Sequence, residues 1–575
     1  MIHSLRTHSC WNKAITTGIR AVLIVTPALI AIGCRTTDER ASSSPEPQPT
    51  SLAVEEGAYF VEVTGQAGID FVHSIGDGEL SNMVETVGSG AAFLDYDQDG
   101  YLDLYVVNST YLEGVSDGKK PKGTPANRLY RNRGDGDFED VTDEAGVADP
   151  NGYGMGVSVG DYDNDGYPDI YVCNYGSNVL FHNNGNGAFT DVTKKAGVGG
   201  NSNTVGAVWL DFDNDGMLDL YVGNYLDYDP DYSYYYSPDG FPGPLAYPGQ
   251  PDVLYRNQGD GAFEDVTESM GLFKPEGRMM GSSAADYDND GYVDLYVAND
   301  VMGNYLYHNE GGKRFQEMGL GAGVAYSEGG EATSSMAVDF ADYNSDGLLD
   351  LFVSDIHFSA LYRNEGHGLF SDVTIPAGIA APSGQYDGWG AAFLDYDNDG
   401  DPDIFKVNGD LNHLFGQEDQ LFENMNTGQF RDVSVEKGSY FVQELVGRGA
   451  CFGDYDNDGD VDVFIVNLND RALLLRNESL DRNNWLMMQL VGSASNRDGV
   501  GAKVKVIADG REQVAQKKSS SGYLSQNDPR LHFGLGKSEK VDKIEIVWPS
   551  GKSHVLENVR AGQIITITEP SETGS

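Results

Sequence analysis

Seven short stretches of this chain repeat one pattern, Asp-x-Asp-x-Asp-Gly-x-x-Asp or a near copy of it. The first holds Asp95, Asp97, Asp99 and Asp103 around Gly100. The next three hold Asp161, Asp163, Asp165, Asp169; Asp211, Asp213, Asp215, Asp219; and Asp286, Asp288, Asp290, Asp294. The fifth, with Asp342, Asn344, Asp346 and Asp350, replaces one carboxylate by an amide and has Ser345 beside it. The last two hold Asp395, Asp397, Asp399, Asp403 and Asp454, Asp456, Asp458, Asp462. Carboxylates at positions one, three, five and nine offer only oxygen, and a glycine at position six permits a sharp reversal. That donor set suits calcium. The loop is not an EF-hand, because Val106 stands where a bidentate Glu belongs and strand-like segments flank it. Catalytic magnesium fits less well, since it keeps waters and works beside phosphates, and no phosphate-cradling loop accompanies the pattern.

The loops account for much of an acidic composition: 89 Asp and Glu against 38 Lys and Arg, a formal net charge of -51. Without cations each loop crowds like charges together and opposes its own folding. At an extracellular-type affinity of about 0.1–1 mM and calcium near 1 mM, each site adds roughly 0.4–1.4 kcal/mol. A set of seven supplies about 3–10 kcal/mol, comparable to the stability of a typical domain. About seven structural calcium ions are therefore expected. The acidity excludes a general nucleic-acid or anionic-membrane surface, because the neutralising cations are missing. An aromatic content of 11% also excludes a disordered acidic chain.

Each loop lies between a small-residue stretch such as Gly90–Leu94 and an alternating strand such as Leu104–Asn108. Two elements keep step with it: Leu129-Tyr-Arg-Asn132 and Phe138-Glu-Asp-Val-Thr142, separated by a tight Gly-Asp-Gly turn. Four short antiparallel strands per repeat make a propeller blade. After Leu474–Asn477 no Phe-x-Asp-Val-Thr follows, whereas a spare copy, Phe60–Thr64, precedes the first loop. The fold expected is all-β: a seven-bladed β-propeller over 58–478, closed by its N-terminal strand. The repeats resemble the FG-GAP/VCBS repeats of integrin-like propellers.

From about Asn483 the repeat stops. Asn496-Arg-Asp-Gly-Val-Gly-Ala-Lys-Val, Ser521-Gly-Tyr-Leu-Ser-Gln, Leu531-His-Phe-Gly-Leu-Gly and Ile544-Glu-Ile-Val-Trp-Pro-Ser-Gly follow in order. They resemble the ASPIC/UnbV domain found after such repeats in the cartilage acidic protein family and its bacterial relatives. A small β-sandwich is expected over 479–569, with a tail at 570–575. The resemblance implies matrix or surface association, and Ser525 and His532 fit structural turns of the motif.

Ahead of the repeats, Arg6, Lys13 and Arg20 precede a twelve-residue apolar run, Ala21–Ile32, too short to span a bilayer. Residues 1–33 are read as a signal peptide. Ala31-Ile32-Gly33-Cys34 resembles a lipobox, which implies acylation of Cys34, though Ala31 stands where a Leu is usual. An ordinary cleaved signal with an incidental Cys is the competing reading. Residues 34–57 form a Ser/Pro/Glu-rich linker. The chain is expected to be exported and lipid-anchored to a membrane, facing the periplasm or cell surface. Cys173 and Cys451 should be buried free thiols.

Arg133-Gly134-Asp135 aligns with the hairpin turns of other repeats and is read as a turn, not an adhesion tripeptide. His182 and His308 share a slot with Arg131 and are placed on the outer surface, not among the metal ligands. Long insertions, 109–126, 225–251 and 409–420, fall on the face opposite the loops, and Tyr232, Tyr234, Tyr235 and Tyr236 are candidate contact residues there. The expected function is a monomeric, surface-tethered recognition or adhesion protein that binds a protein or glycan through that face. The alternative is an enzyme, or an accessory protein of extracytoplasmic or natural-product metabolism, using the channel mouth. Convergent polar residues with shifted ionisation would favour it.

Overall fold

In the first repeat, Ala91–Leu94, Asp103–Val106, Arg128–Asn132 and Phe138–Asp140 pair in that order, each antiparallel to the next. Six further four-stranded units follow the same order, with innermost strands Gly154–Gly160, Ser202–Leu210, Met279–Ala285, Thr333–Ala341, Gly388–Leu394 and Gly447–Gly453. This is a computed structural model, and it describes residues 57–571 apart from 117, 119, 121–124 and 233–239. Cys34, the signal-like segment and Tyr234, Tyr235 and Tyr236 lie outside the described residues.

The sheets stack face to face, which explains why both sides of the second strands are apolar. Leu104 packs with Phe93, Phe464 and Leu474 on one side, while Tyr105 packs with Val157 and Ile170 on the other. Each fully buried side chain of this size stabilises the fold by about 1.5–3 kcal/mol. Cys173 and Cys451 are buried free thiols in these layers.

The last unit lacks a fourth strand of its own, and Phe60–Glu62 supplies it, with Phe60 opposite Asn477 and Glu62 opposite Leu475. The Thr64 hydroxyl accepts the Leu474 N–H at 2.8 Å, as Thr142 does for Leu129 within the first unit. A second device runs round the ring. The Asn that ends each third strand donates to a backbone carbonyl of the preceding unit, at 2.7–2.9 Å: Asn183 to Tyr96, Asn257 to Tyr162, Asn309 to Phe212, Asn364 to Tyr287, Asn424 to Tyr343 and Asn477 to Tyr396. Asn132 to Tyr455, at 2.8 Å, closes the circle.

The C-terminal strands form two sheets. Asn484–Val491 lies between Leu531–Gly536 and Gln563–Thr568, and Lys503–Ala508 and Lys540–Val547 are flanked by Arg511–Gln516 and Ser553–Arg560. Leu486, Met488, Val504, Ile544 and Trp548 share one core between the sheets. The described residues pack as one compact unit, for a reason found at the loops.

Candidate metal centres

All seven loops adopt one backbone. Position four is left-handed in each, at Gln98, Asn164, Asn214, Asn289, Ser345, Asn398 and Asn457, with φ between 56° and 64°. The glycine at position six follows with φ between 87° and 99°. Asn tolerates the left-handed region better than most residues, and Gly enters it freely. The first aspartate locks the turn: Asp95 accepts the N–H groups of Asp99 at 3.1 Å and Gly100 at 3.0 Å. The last one, Asp103, accepts the Asn132 N–H at 2.8 Å, so the ring Asn and the loop position each other.

These carboxylates are packed where water is scarce. Burial raises Asp161, Asp350 and Asp454 to about 8 and Asp95 and Asp342 to about 6, and neighbouring loop carboxylates push in the same direction. Burial, with the neighbouring loop carboxylates, also holds Asp103, Asp219, Asp395, Asp403 and Asp462 well above the usual carboxylate range. Several loop oxygens are buried with no hydrogen-bond partner: Oδ1 of Asp97, Asp213 and Asp456, and Oδ2 of Asp350 and Asp403. Orphaned buried carboxylate oxygens are costly. They occupy positions three and nine, where a bound cation would be the missing partner. The donor set therefore fits a hard divalent ion.

His182 and His308 are not remote from the loops, contrary to the sequence-based expectation. His182 Nδ1 lies 3.1 Å from Asp169 and 3.5 Å from Asp163, and His308 Nδ1 lies 3.2 Å from both Asp294 and Asp288. Hydrogen bonding to Asp294 pushes His308 up to about 9, against the effect of burial. Arg256 reaches Asp213 at 3.1 Å from the same slot. This position immediately precedes the ring Asn; the recurring basic residue there, assigned to the outer surface from sequence, was the signal of contact with the loop. These groups sit beside carboxylates of positions three and nine, and each trio of two Asp and one His can converge on a single ion.

The FG-GAP-like repeat matches residues 95–172, 161–222, 245–297, 286–353 and 342–405, together half of the chain. The chain belongs to the FG-GAP-like repeat family. Residues 492–574 match the ASPIC and UnbV domain. The chain is similar to cartilage acidic protein 1 of Homo sapiens, 28% identical over 340 residues covering 56% of this chain and 48% of that protein. The Mus musculus protein is 27% identical over 346 residues, 56% of this chain and 50% of that protein. The chain thus spans about half the length of the curated relatives it matches. Among solved structures, an Agrocybe aegerita lectin described as recognising non-reducing terminal N-acetylglucosamine aligns with TM-score 0.35 and 16% identity, over 66% of this chain and 86% of that one. A BBS1N chain in complex with ARL6DN aligns with TM-score 0.40 and 9% identity, over 74% and 98%.

The ASPIC/UnbV domain sits on the FG-GAP loops. On the second loop, Asp498 accepts the Asp161 N–H at 2.9 Å and Asn164 accepts the Arg497 N–H at 2.7 Å. On the fourth, Gln516 accepts the Asp286 N–H at 2.8 Å, and Lys503 Nζ stands 2.5 Å from Asp286 and 2.8 Å from Asn289. On the sixth, Arg511 donates to the Asp399 carbonyl at 2.6 Å. On the seventh, Arg530 donates to Asp454 O and Asn457 Oδ1, both at 2.6 Å. His532 meets the Gly459 carbonyl at 3.1 Å, and a Cβ on Gly459 would overlap the Trp485 ring at 1.8 Å.

A finger from this domain enters the ring. Ser519 donates to Trp209 O at 2.5 Å, Gly522 pairs with Val338, and the Leu524 carbonyl accepts Val157 N–H at 3.0 Å. Ser525 Oγ accepts Ala91 N–H at 3.2 Å, Gln526 grips Val159 through both amide atoms, and Asn527 accepts Phe452 N–H at 3.1 Å. Tyr523 packs on Trp389 with ring centroids 5.4 Å apart and donates to Val87 O at 3.0 Å. The approach is so close that a Cβ on Gly90 would lie 1.9 Å from Leu524 O. From the other end, Met83, Val84 and Val87 pack into the same core, and Arg448 stacks 3.7 Å above Trp389. The axis is filled by side chains.

On the opposite face, Tyr232 is exposed, with its ring 5.5 Å from that of Tyr247. In the hairpin turn Arg133-Gly134-Asp135, Gly134 has φ 74° and Arg133 pairs with Glu139 at 3.2 Å.

Proposed function

We propose that this protein is a calcium-stabilised, surface-tethered recognition or adhesion module that binds a protein or glycan through the face carrying the insertions. The observation that carries this reading is the covered loop face. With the ASPIC/UnbV domain seated on the loops and its finger in the axis, the broad surface left to a partner is the one opposite. There the connections expose Leu245, Phe273, Phe358, Phe415 and Val442. Exposed aromatic and aliphatic side chains on rigid connections are what recognition surfaces use. Phe415 stacks on His413 at 4.9 Å, and Asp410 caps that turn through the Asn412 and His413 N–H groups.

Calcium supplies charge neutralisation in this reading. Asp95, Asp97, Asp99 and Asp103, and their counterparts in the other loops, would hold one ion each, about seven in all. The channel-mouth enzyme reading gains less support. Burial raises Asp300, Asp355 (to about 6) and Asp387, but Asp300 is hydrogen-bonded to Tyr225 at 2.6 Å, Asp355 to His357 N–H at 2.9 Å and Asp387 to Leu411 N–H at 3.0 Å, so these acids hold the connections in place.

Acylation of Cys34, implied by the lipobox-like Ala31-Ile32-Gly33-Cys34, would supply the tether. Cys34→Ser should then release the protein from the membrane fraction without changing its melting temperature. Retention after a high-salt wash would contradict the lipid anchor.

Recognition is tested by screening the full chain, with calcium, on arrays of glycans and of surface proteins. A bound partner should be lost from a Phe358→Asp, Phe415→Asp double variant and kept by Asp135→Ala in the hairpin turn. A partner sensitive only to Asp135→Ala would overturn the choice of face.

A further inference from the structure

The loops touch one another as well as the domain above them. The left-handed residue at position four turns its side-chain amide onto the glycine carbonyl of the next loop. Asn398 donates to Gly459 at 3.1 Å, Asn457 to Gly100 at 2.9 Å, Gln98 to Gly166, Asn164 to Gly216 at 2.9 Å and Asn214 to Gly291 at 3.0 Å. These five bonds string the sixth, seventh, first, second, third and fourth loops into one arc, which passes through the point where the ring closes.

The fifth loop stands outside the arc. Among the described residues no hydrogen bond runs from Asn289 to the fifth loop, and the Asn289 oxygen is held instead by Lys503. On the other side, Ser345 is too short to reach Gly400, where Arg511 of the ASPIC/UnbV domain fills the space 2.9 Å from a Cβ placed on that glycine. The fifth loop still has the chemistry of a cation site: Asp350 is 0% exposed and its Oδ2 has no partner.

We infer that the seven loops take up calcium as two classes, a coupled arc of six and an independent, weaker site in the fifth unit. The inference rests on the calcium reading above. A position-four bond forms only when donor and acceptor loops both hold the closed, left-handed turn, which is the form a bound ion fixes. Ordering one loop therefore lowers the ordering cost of the next. The ring of third-strand Asn residues also bonds to the loops, at the carbonyl of position two, but it does so in all seven units alike and therefore does not distinguish the fifth. The fifth loop offers three carboxylates rather than four and, among the described residues, has no position-four bond to either neighbouring loop.

The test is a calcium titration of the chelator-stripped full chain by isothermal calorimetry, alongside Asn214→Gly and Ser345→Asn. Glycine keeps the positive φ of 56° at position 214 while deleting the amide that reaches Gly291. The unaltered protein should bind about six ions with a Hill coefficient above one, and one more with at least about fivefold weaker affinity. Asn214→Gly should detach the fourth loop, leaving two sites outside the cooperative set. Ser345→Asn should tighten the fifth site by about fivefold and draw it into the arc. Seven equivalent, independent sites, or isotherms that neither substitution changes, would overturn the coupling. Absence of any calcium uptake would defeat the metal reading itself, which is a separate outcome.

Discussion

Asp350 shows what a single loop carboxylate does to the fold. It is buried, one of its oxygens is orphaned, and burial raises it to about 8. A carboxyl whose folded value exceeds its unfolded one, near 3.9, binds its proton more tightly in the folded state. Its favourable contribution is complete below about pH 4 and is lost as pH rises through the folded value. For Asp95, Asp342, Asp161, Asp350 and Asp454 that loss extends up to the window between about 6 and 8. In chelator, the melting temperature should therefore fall between pH 5.5 and pH 8, and the gain on adding calcium should grow across the same interval. A chelated protein that melts higher at pH 8 than at pH 5.5 contradicts this. Asp350→Asn should change sign with conditions: stabilising in chelator, where a buried charge is removed, and destabilising by about 0.4–1.4 kcal/mol in 1 mM calcium, where a site is lost. The loop aspartates were legible in the sequence because their spacing is local. The roles of His182 and His308 were not, because contact with the loop depends on how the third strand lies beside it.

At the level of elements, the displaced strand Phe60–Glu62 was legible from a simple mismatch: the last repeat lacked a motif that stood unused at the start. Deleting residues up to Thr64 should expose the edge of the last unit and lower soluble yield, whereas deleting up to Ser51 should do neither. The deletion also removes Phe60 and Val63, each contributing about 1.5–3 kcal/mol when fully buried. Equal behaviour of the two truncations would mean that the ring closes another way. The finger 519–527 was not legible. It lacks strand or helix periodicity, and its partners are backbone groups of other units, hundreds of residues away. Gly522 and Leu524, with φ 98° and 58°, mark the turns that fit it into the axis. Gly90→Val should keep the finger from seating, since even a Cβ there meets Leu524 O at 1.9 Å. Limited proteolysis should then cut within 519–530 in the variant but not in the unaltered protein. Equal resistance would show that the finger is not held by this contact.

For the whole molecule, a net charge of -51 and a ring of buried carboxylates describe a fold that bound counter-ions would stabilise. The ASPIC/UnbV domain would add to that effect, because it grips loop tips that only a defined loop backbone can present: Asn164, Asn289, Asn457 and Gly459. The first part could be read from its repeat spacing, and the second from the resemblance of its ordered motifs to the ASPIC/UnbV domain. Their union into one compact unit could not, since docking is written in side chains scattered over both. The most direct test of calcium as a structural element is calorimetric melting of the chain from Val54 onward, in 1 mM calcium and in excess chelator. Occupied loops should add about 3–10 kcal/mol, raising the melting temperature by about 5 °C or more. A melting temperature that is the same in calcium and in chelator would contradict the account.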